Sequence, residues 1–190
     1  MARNDDRRRL LADAGLAVLA REGARGLTHR AVDVEAGVPT GTTSNYFRSR
    51  DALIGGLVTR IGERLGPTDD DLGTRATQPV GPALFADYVR DIVRRLCAER
   101  EVTLALFELR LESTRRPEVA AVLHEWQRTA FAADIAFNEA AGLPGGRREI
   151  ALFHYALDGL VLDRLTMPID PGTSTDEVVD ALVTGLLPPG

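Results

Sequence analysis

Apolar positions recur along this chain with helical spacing. From Asp5 to Arg21, Leu11, Ala14 and Val18 form one stripe with Leu10 and Ala17 beside it, while Arg7, Arg8, Arg9 and Asp13 stay outside, the pattern of an amphipathic helix. Gly23 and Gly26 bracket a break. Thr28 then caps a short helix running to about Ala36, which Gly37 ends at a left-handed position. Pro39 suits the first turn of a second short helix, reaching about Phe47, because its missing N–H is a donor left unpaired there anyway. Asp51 opens a longer segment in which Leu53, Leu57, Ile61 and Leu65 repeat every four residues up to Gly66-Pro67. Residues 66–82 combine three Pro, three Gly and an acidic run and read as a mobile connection. Helices are predicted beyond it over roughly 83–99, 101–115, 117–141, 146–167 and 174–187, with breaks at Pro117, Gly142 to Gly146 and Pro171-Gly172. Without strand-like alternation, the fold class is all-α.

Composition narrows the possibilities. The chain has 190 residues, 44% of them apolar, enough for one or two helical domains with a real core. No stretch approaches the ~18 uninterrupted apolar residues of a membrane span, and the opening MARNDDRRR is charged where a secretory signal needs an apolar run. A cytoplasmic protein without membrane attachment is expected. A single cysteine, Cys97, excludes an internal disulfide and an all-cysteine metal site. The net charge of −5 hides an asymmetry, since residues 1–50 carry nine Arg against six acids and the remainder fourteen Arg against twenty-two. The front end is therefore the phosphate-facing part.

Two short helices joined by a tight turn, with a helix on either side, outline a helix-turn-helix. In that motif the second helix enters a major groove about 12 Å wide, so it must present small and polar residues. Thr40, Gly41, Thr42, Thr43, Ser44 and Asn45 meet that requirement. They are poor helix formers that bury little apolar surface, an unusual use of six consecutive positions for a core helix.

Leu27-Thr28, then Ala36-Gly37-Val38-Pro39 with Gly41-Thr42, then Tyr46-Phe47-Arg48-Ser49-Arg50-Asp51-Ala52-Leu53 resemble the TetR family signature over about residues 8–55. The resemblance implies a homodimeric transcriptional regulator, usually a repressor. Its N-terminal three-helix DNA-binding domain with helix-turn-helix (1–50) would precede a helical ligand-binding and dimerisation domain (51–190). It further implies that Thr28 and Arg50 touch phosphates from the starts of their helices and that Arg30 reaches a base edge. Thr40, Gly41, Thr42, Ser44 and Asn45 would face the groove, Asn45 pairing with adenine, and Tyr46 would anchor to the DNA backbone. Phe47 would be the apolar plug joining the recognition helix to the first and fourth helices. The chain departs from the family pattern at Ser44, where Tyr is common, at Arg50, where Lys is common, and at Asp33, where a small apolar residue is common. Asp33 is expected to accept a hydrogen bond inside the domain, since a free carboxylate there would repel DNA.

Enzyme signatures fail. His124-Glu125 opens like the HExxH zinc-protease pattern, but Arg128 stands where the second histidine belongs, and Gly37 and Gly41 lack the ending of a phosphate loop. No catalytic residue, metal site or cofactor is expected. Beyond residue 80, Tyr88, Phe107, Trp126, Gln127 and His154 are the candidates for binding a small-molecule effector, apolar walls with a few polar tips being what a ligand pocket needs. The segment from Glu149 to Met167 is apolar nearly all round, which requires a second buried face. With Val178, Val179, Leu182, Val183, Leu186 and Leu187 of the last helix it would form a four-helix bundle with a second copy, a homodimer through 146–167 and 174–187. The competing reading is a helical protein-interaction adaptor without operator binding.

Overall fold

The computed structural model describes residues 2–68 and 78–188, so residues 69–77 of the connection expected over 66–82 lie outside the described residues. Among these, nine helices and no strand are formed: α1 (Ala2–Gly26), α2 (His29–Glu35), α3 (Thr42–Tyr46), α4 (Arg50–Leu65), α5 (Pro82–Ala98), α6 (Arg100–Ser113), α7 (Pro117–Ala140), α8 (Arg147–Leu165) and α9 (Thr175–Leu186). Two compact units emerge, one of residues 1–66 with 99–127, the other of 67–98 with 128–190. The boundary expected at residue 50 falls within the first of these units. The apolar stripe of α4, with Leu53, Leu57 and Ile61 wholly buried, packs on α1 and α6, so burial of that stripe keeps α4 in the first unit.

In the first unit α1 is the central helix, packing against α2, α4 and α6 through Leu11, Leu16, Val18 and Leu19, all at most 1% exposed. The break expected after Arg21 is a local kink, with Gly23 at φ 69° and ψ −177° and helix resuming to Gly26. Charges reinforce the α1–α4 seam. Arg60 donates to Asp13 at 2.8 and 3.0 Å, Arg64 to Asp13 at 3.0 Å, and Glu63 accepts from Arg60 at 2.7 Å and Arg9 at 3.2 Å. Such partly exposed pairs contribute about 0–1 kcal/mol each, so they refine a seam that apolar burial creates.

In the second unit α5 packs on α8 and α9. The rings of Phe85 and Phe153 lie 4.8 Å apart above a core of Val89, Val93, Leu157, Val161, Val179 and Val183. Ser174 caps α9 in a reciprocal box with Glu177. The turn between α7 and α8 is held by Asn138, whose buried amide donates to the carbonyls of Leu143 at 3.3 Å and Gly145 at 3.0 Å.

Candidate nucleic-acid interface

The reader is built from α2, α3 and the start of α4. Thr28 has extended backbone and caps α2, its hydroxyl accepting from the Ala31 N–H at 3.1 Å. Gly37 at φ 62° and Gly41 at φ 91° turn the chain where a Cβ would be strained. Pro39 lies in the turn, outside the helix whose first turn it was expected to occupy: left-handed Gly41 is itself the N-cap, so α3 can start only at Thr42. The Pro39 carbonyl instead accepts from the Thr42 N–H at 3.1 Å and hydroxyl at 2.6 Å.

Gly41 has no side chain to cap α3, and the missing acceptor comes from α2. The Asp33 carboxylate, 2% exposed, accepts from the Gly41 N–H at 2.7 Å, the Thr43 N–H at 2.7 Å and the Thr43 hydroxyl at 2.6 Å. Burial pushes the Asp33 carboxyl up, but the hydrogen bonds from Thr43 and Gly41 outweigh it and hold the group below its ordinary value. Asp33 thus stays charged and internally satisfied. One turn earlier on α2, His29 Nε2 stands 2.7 Å from the Phe47 carbonyl at the far end of α3. A carbonyl only accepts, so Nε2 carries the proton.

With α3 so held, Thr40, Ser44 and Asn45 are exposed together with Thr28 and Arg30, while Gly41, Thr42 and Tyr46 are half-buried. Thr43, one of the six small polar positions, is wholly buried and faces Asp33. Phe47, 4% exposed, is the expected plug. It closes against α4 so tightly that a Cβ on Gly56 would stand 2.4 Å from its ring, and the Arg8 guanidinium sits 5.5 Å from the ring centre.

Arg50, expected to touch a phosphate, makes contacts inside the first unit. Its terminal nitrogens donate to the carbonyls of Leu27 at 2.5 Å and Ala24 at 2.6 Å, and its Nε is buried without an acceptor among the described residues. These two bonds tie the end of α1 to the start of α2. The neighbouring exposed cation is Arg48.

The five ligand candidates fall in different units. In the first, Phe107 lies under the Arg110 guanidinium at 5.8 Å, Trp126 Nε1 approaches Gly62, and Gln127 is exposed. In the second, Tyr88 meets the Phe137 ring edge-on at 5.2 Å, and His154 bonds Asp134 at 2.9 Å beside Phe131. A groove of about 480 Å³ between α1 and α4 is lined by Asp5, Arg8, Phe47, Thr59 and Glu63 among others, and by none of the five. Burial pushes the Cys97 thiol up, away from a reactive thiolate. Among the described residues no group of His, Cys, Asp and Glu could hold a metal ion, and no helix is long and apolar enough to cross a membrane.

Helices built in this order, with a short reading helix braced on its neighbour, define the class of helix-turn-helix DNA-binding regulators. Residues 80–189 match the family model of the tetracyclin repressor-like C-terminal domain. Among solved structures, the multidrug binding protein EbrR complexed with ethidium is 26% identical, with TM-score 0.65 over 96% of this chain and 99% of that one. A TetR family member from Streptomyces coelicolor A3 is 25% identical, with TM-score 0.68 over 96% and 98%. A putative TetR-family transcriptional regulator from Mesorhizobium loti, 14% identical, shares the fold with TM-score 0.72 over 97% and 96%. No relative was found among the curated proteins. The chain belongs to the TetR family of transcriptional regulators, DNA-binding proteins that are not enzymes.

Proposed function

We propose that this protein is a ligand-responsive repressor that binds a pseudo-palindromic operator as a homodimer and leaves it when a small molecule binds. The observation that carries this reading is the exposed face of α3. Ser44 and Asn45 are exposed on a helix whose other side is closed by the Asp33–Thr43 hydrogen bonds, and Thr40 is exposed in the turn before it. Asn45 pairs bidentately with adenine and the Thr methyls touch thymine. Thr28, Arg30 and Tyr46 flank that face and position it. Arg50 serves the same contacts from behind, by fixing the chain around Leu27 and Thr28.

A small-molecule effector is supported by EbrR, a multidrug binding protein with complexes of ethidium and of proflavin. The side chains proposed for an effector site remain Phe107, Trp126 and Gln127 in the first unit and Tyr88 and His154 in the second, each set taken by itself. A homodimer through 146–167 and 174–187 is supported by the side of α8 on which Tyr155, Gly159 and Leu162 are exposed, and by the open space before Gly159 and Gly185, which admits a close helix. The two recognition helices then read successive major grooves roughly 34–36 Å apart. A ligand that prefers a different separation weakens DNA binding by its differential affinity, and DNA weakens ligand binding by the same factor.

The test is binding of the purified protein to DNA from immediately upstream of its own gene, at two salt concentrations. Sequence-specific binding that weakens with salt is expected. Failure on this and on every other duplex, with salt-independent capture of a protein partner, would replace the repressor by an adaptor.

A further inference from the structure

We propose that α2 orients the recognition helix through a two-point clamp, the Asp33 carboxylate on the N–H groups of Gly41 and Thr43 and the His29 ring on the carbonyl of Phe47, and that this clamp sets the sequence selectivity of the reading face. The inference rests on the DNA-reading role proposed above and deepens it.

The need for a clamp follows from length. Helix α3 has five residues, whereas isolated helices below about 12–15 residues are marginal in water. Its N-cap is a glycine without a capping side chain, and the residues it presents are poor helix formers. Its placement must therefore come from outside. His29 and Asp33 are four residues apart on α2, hence on one face, and they meet opposite ends of α3. Asp33 takes three hydrogen bonds at the start, at 2.7, 2.7 and 2.6 Å, and His29 gives one at the finish, at 2.7 Å. The signs match the helix dipole, a carboxylate at the positive end and a donor at the negative end.

Fixing both ends removes the slide along the axis and the swing about one end that a single contact would leave. Ser44 and Asn45 lie between the two anchors, so their direction relative to Thr28 and Arg30 is determined by α2. Base-edge hydrogen bonds depend on that direction, while contacts from long cationic side chains to phosphates adapt to small shifts. Loosening the clamp should then cost selectivity before it costs non-specific affinity.

The experiment selects a preferred duplex from a randomised DNA library with the full-length wild-type chain. Binding of that duplex and of a random-sequence duplex is then compared for wild type, Asp33→Asn, His29→Leu and His29→Gln, with helical content checked by circular dichroism. The asparagine places an NH2 against N–H donors, so the ratio of selected to random affinity should fall about tenfold or more, with random binding within about threefold of wild type. His29→Leu should lower the ratio too, and His29→Gln, whose amide can donate to the Phe47 carbonyl, should restore most of it. Amide exchange read by NMR without DNA should show the Gly41 and Thr43 N–H groups of Asp33→Asn exchanging about tenfold faster, with the amides of α1 and α4 unchanged. Unchanged ratios and exchange in folded variants would overturn the clamp. If the wild type selects no sequence, the DNA-reading role fails and exchange alone decides the clamp. If Asp33→Asn does not fold, the two His29 variants decide it.

Discussion

Asp33 combines near-complete burial with a net charge, which makes its contribution to stability depend on pH. Its folded-state pKa lies below the ordinary value because the hydrogen bonds from Thr43 and Gly41 outweigh the burial that raises it. The stabilisation is therefore fully present above the unfolded carboxylate value, about 3.9, and is lost as pH falls through the folded value. Urea unfolding of wild type and Asp33→Asn should give a difference in stability that is constant near neutral pH and narrows below about pH 4; a difference independent of pH would mean the carboxylate is not held ionised. Asn45, exposed on α3, belongs to readout instead. Asn45→Ala should cost about 1–3 kcal/mol at one base position, and uniform loss across single-base variants of a selected duplex would count against base contact. Arg50→Ala should act through folding. Loss of its bonds to Ala24 and Leu27 should lower the unfolding midpoint, while the slope of log affinity against log salt should change by less than one phosphate's worth.

Between elements, α4 lies close against Phe47 at Gly56. Replacing a helical glycine by alanine ordinarily stabilises by roughly 0.5–1 kcal/mol. At Gly56 the sign should reverse, because the new Cβ would stand 2.4 Å from one ring carbon of Phe47 and 2.9 Å from another, and overpacking costs about 1–3 kcal/mol. Gly56→Ala should lower the thermal midpoint, whereas Gly55→Ala, with nothing near its Cβ, should raise it or leave it unchanged. The extent of the elements was legible from spacing: the α4 stripe and the breaks after α7 and α8 fall close to where sequence puts them. Pro39 suggests a helix start because its N–H is missing, yet the start is governed by the left-handed residue two positions later. A glycine shows in sequence that positive φ is allowed, not that the chain uses it.

For the whole molecule, assembly is the property most open to test. Leu162 is 44% and Tyr155 71% exposed on the helix proposed to meet a second copy. Leu162→Glu should convert a dimer in sedimentation velocity to a monomer of unchanged helical content, since a buried unpaired charge costs several kcal/mol; a persistent dimer would place the interface elsewhere. At this scale, the sequence by itself determined the all-helical class and the order of the helices, because both follow from local periodicity and turn chemistry. It also determined the reading motif, whose small polar run and punctuating glycines are contiguous. The tertiary structure alone decided that α4 belongs with α1 and α6, that Thr43 turns inward to Asp33, and that Arg50 is engaged by carbonyls 23 and 26 residues away. The same holds for the ligand candidates, which share a composition but not a unit. A side chain's partner across the chain is fixed by how helices pack, and helix packing depends on the sum of many apolar contacts that no single stretch of sequence displays.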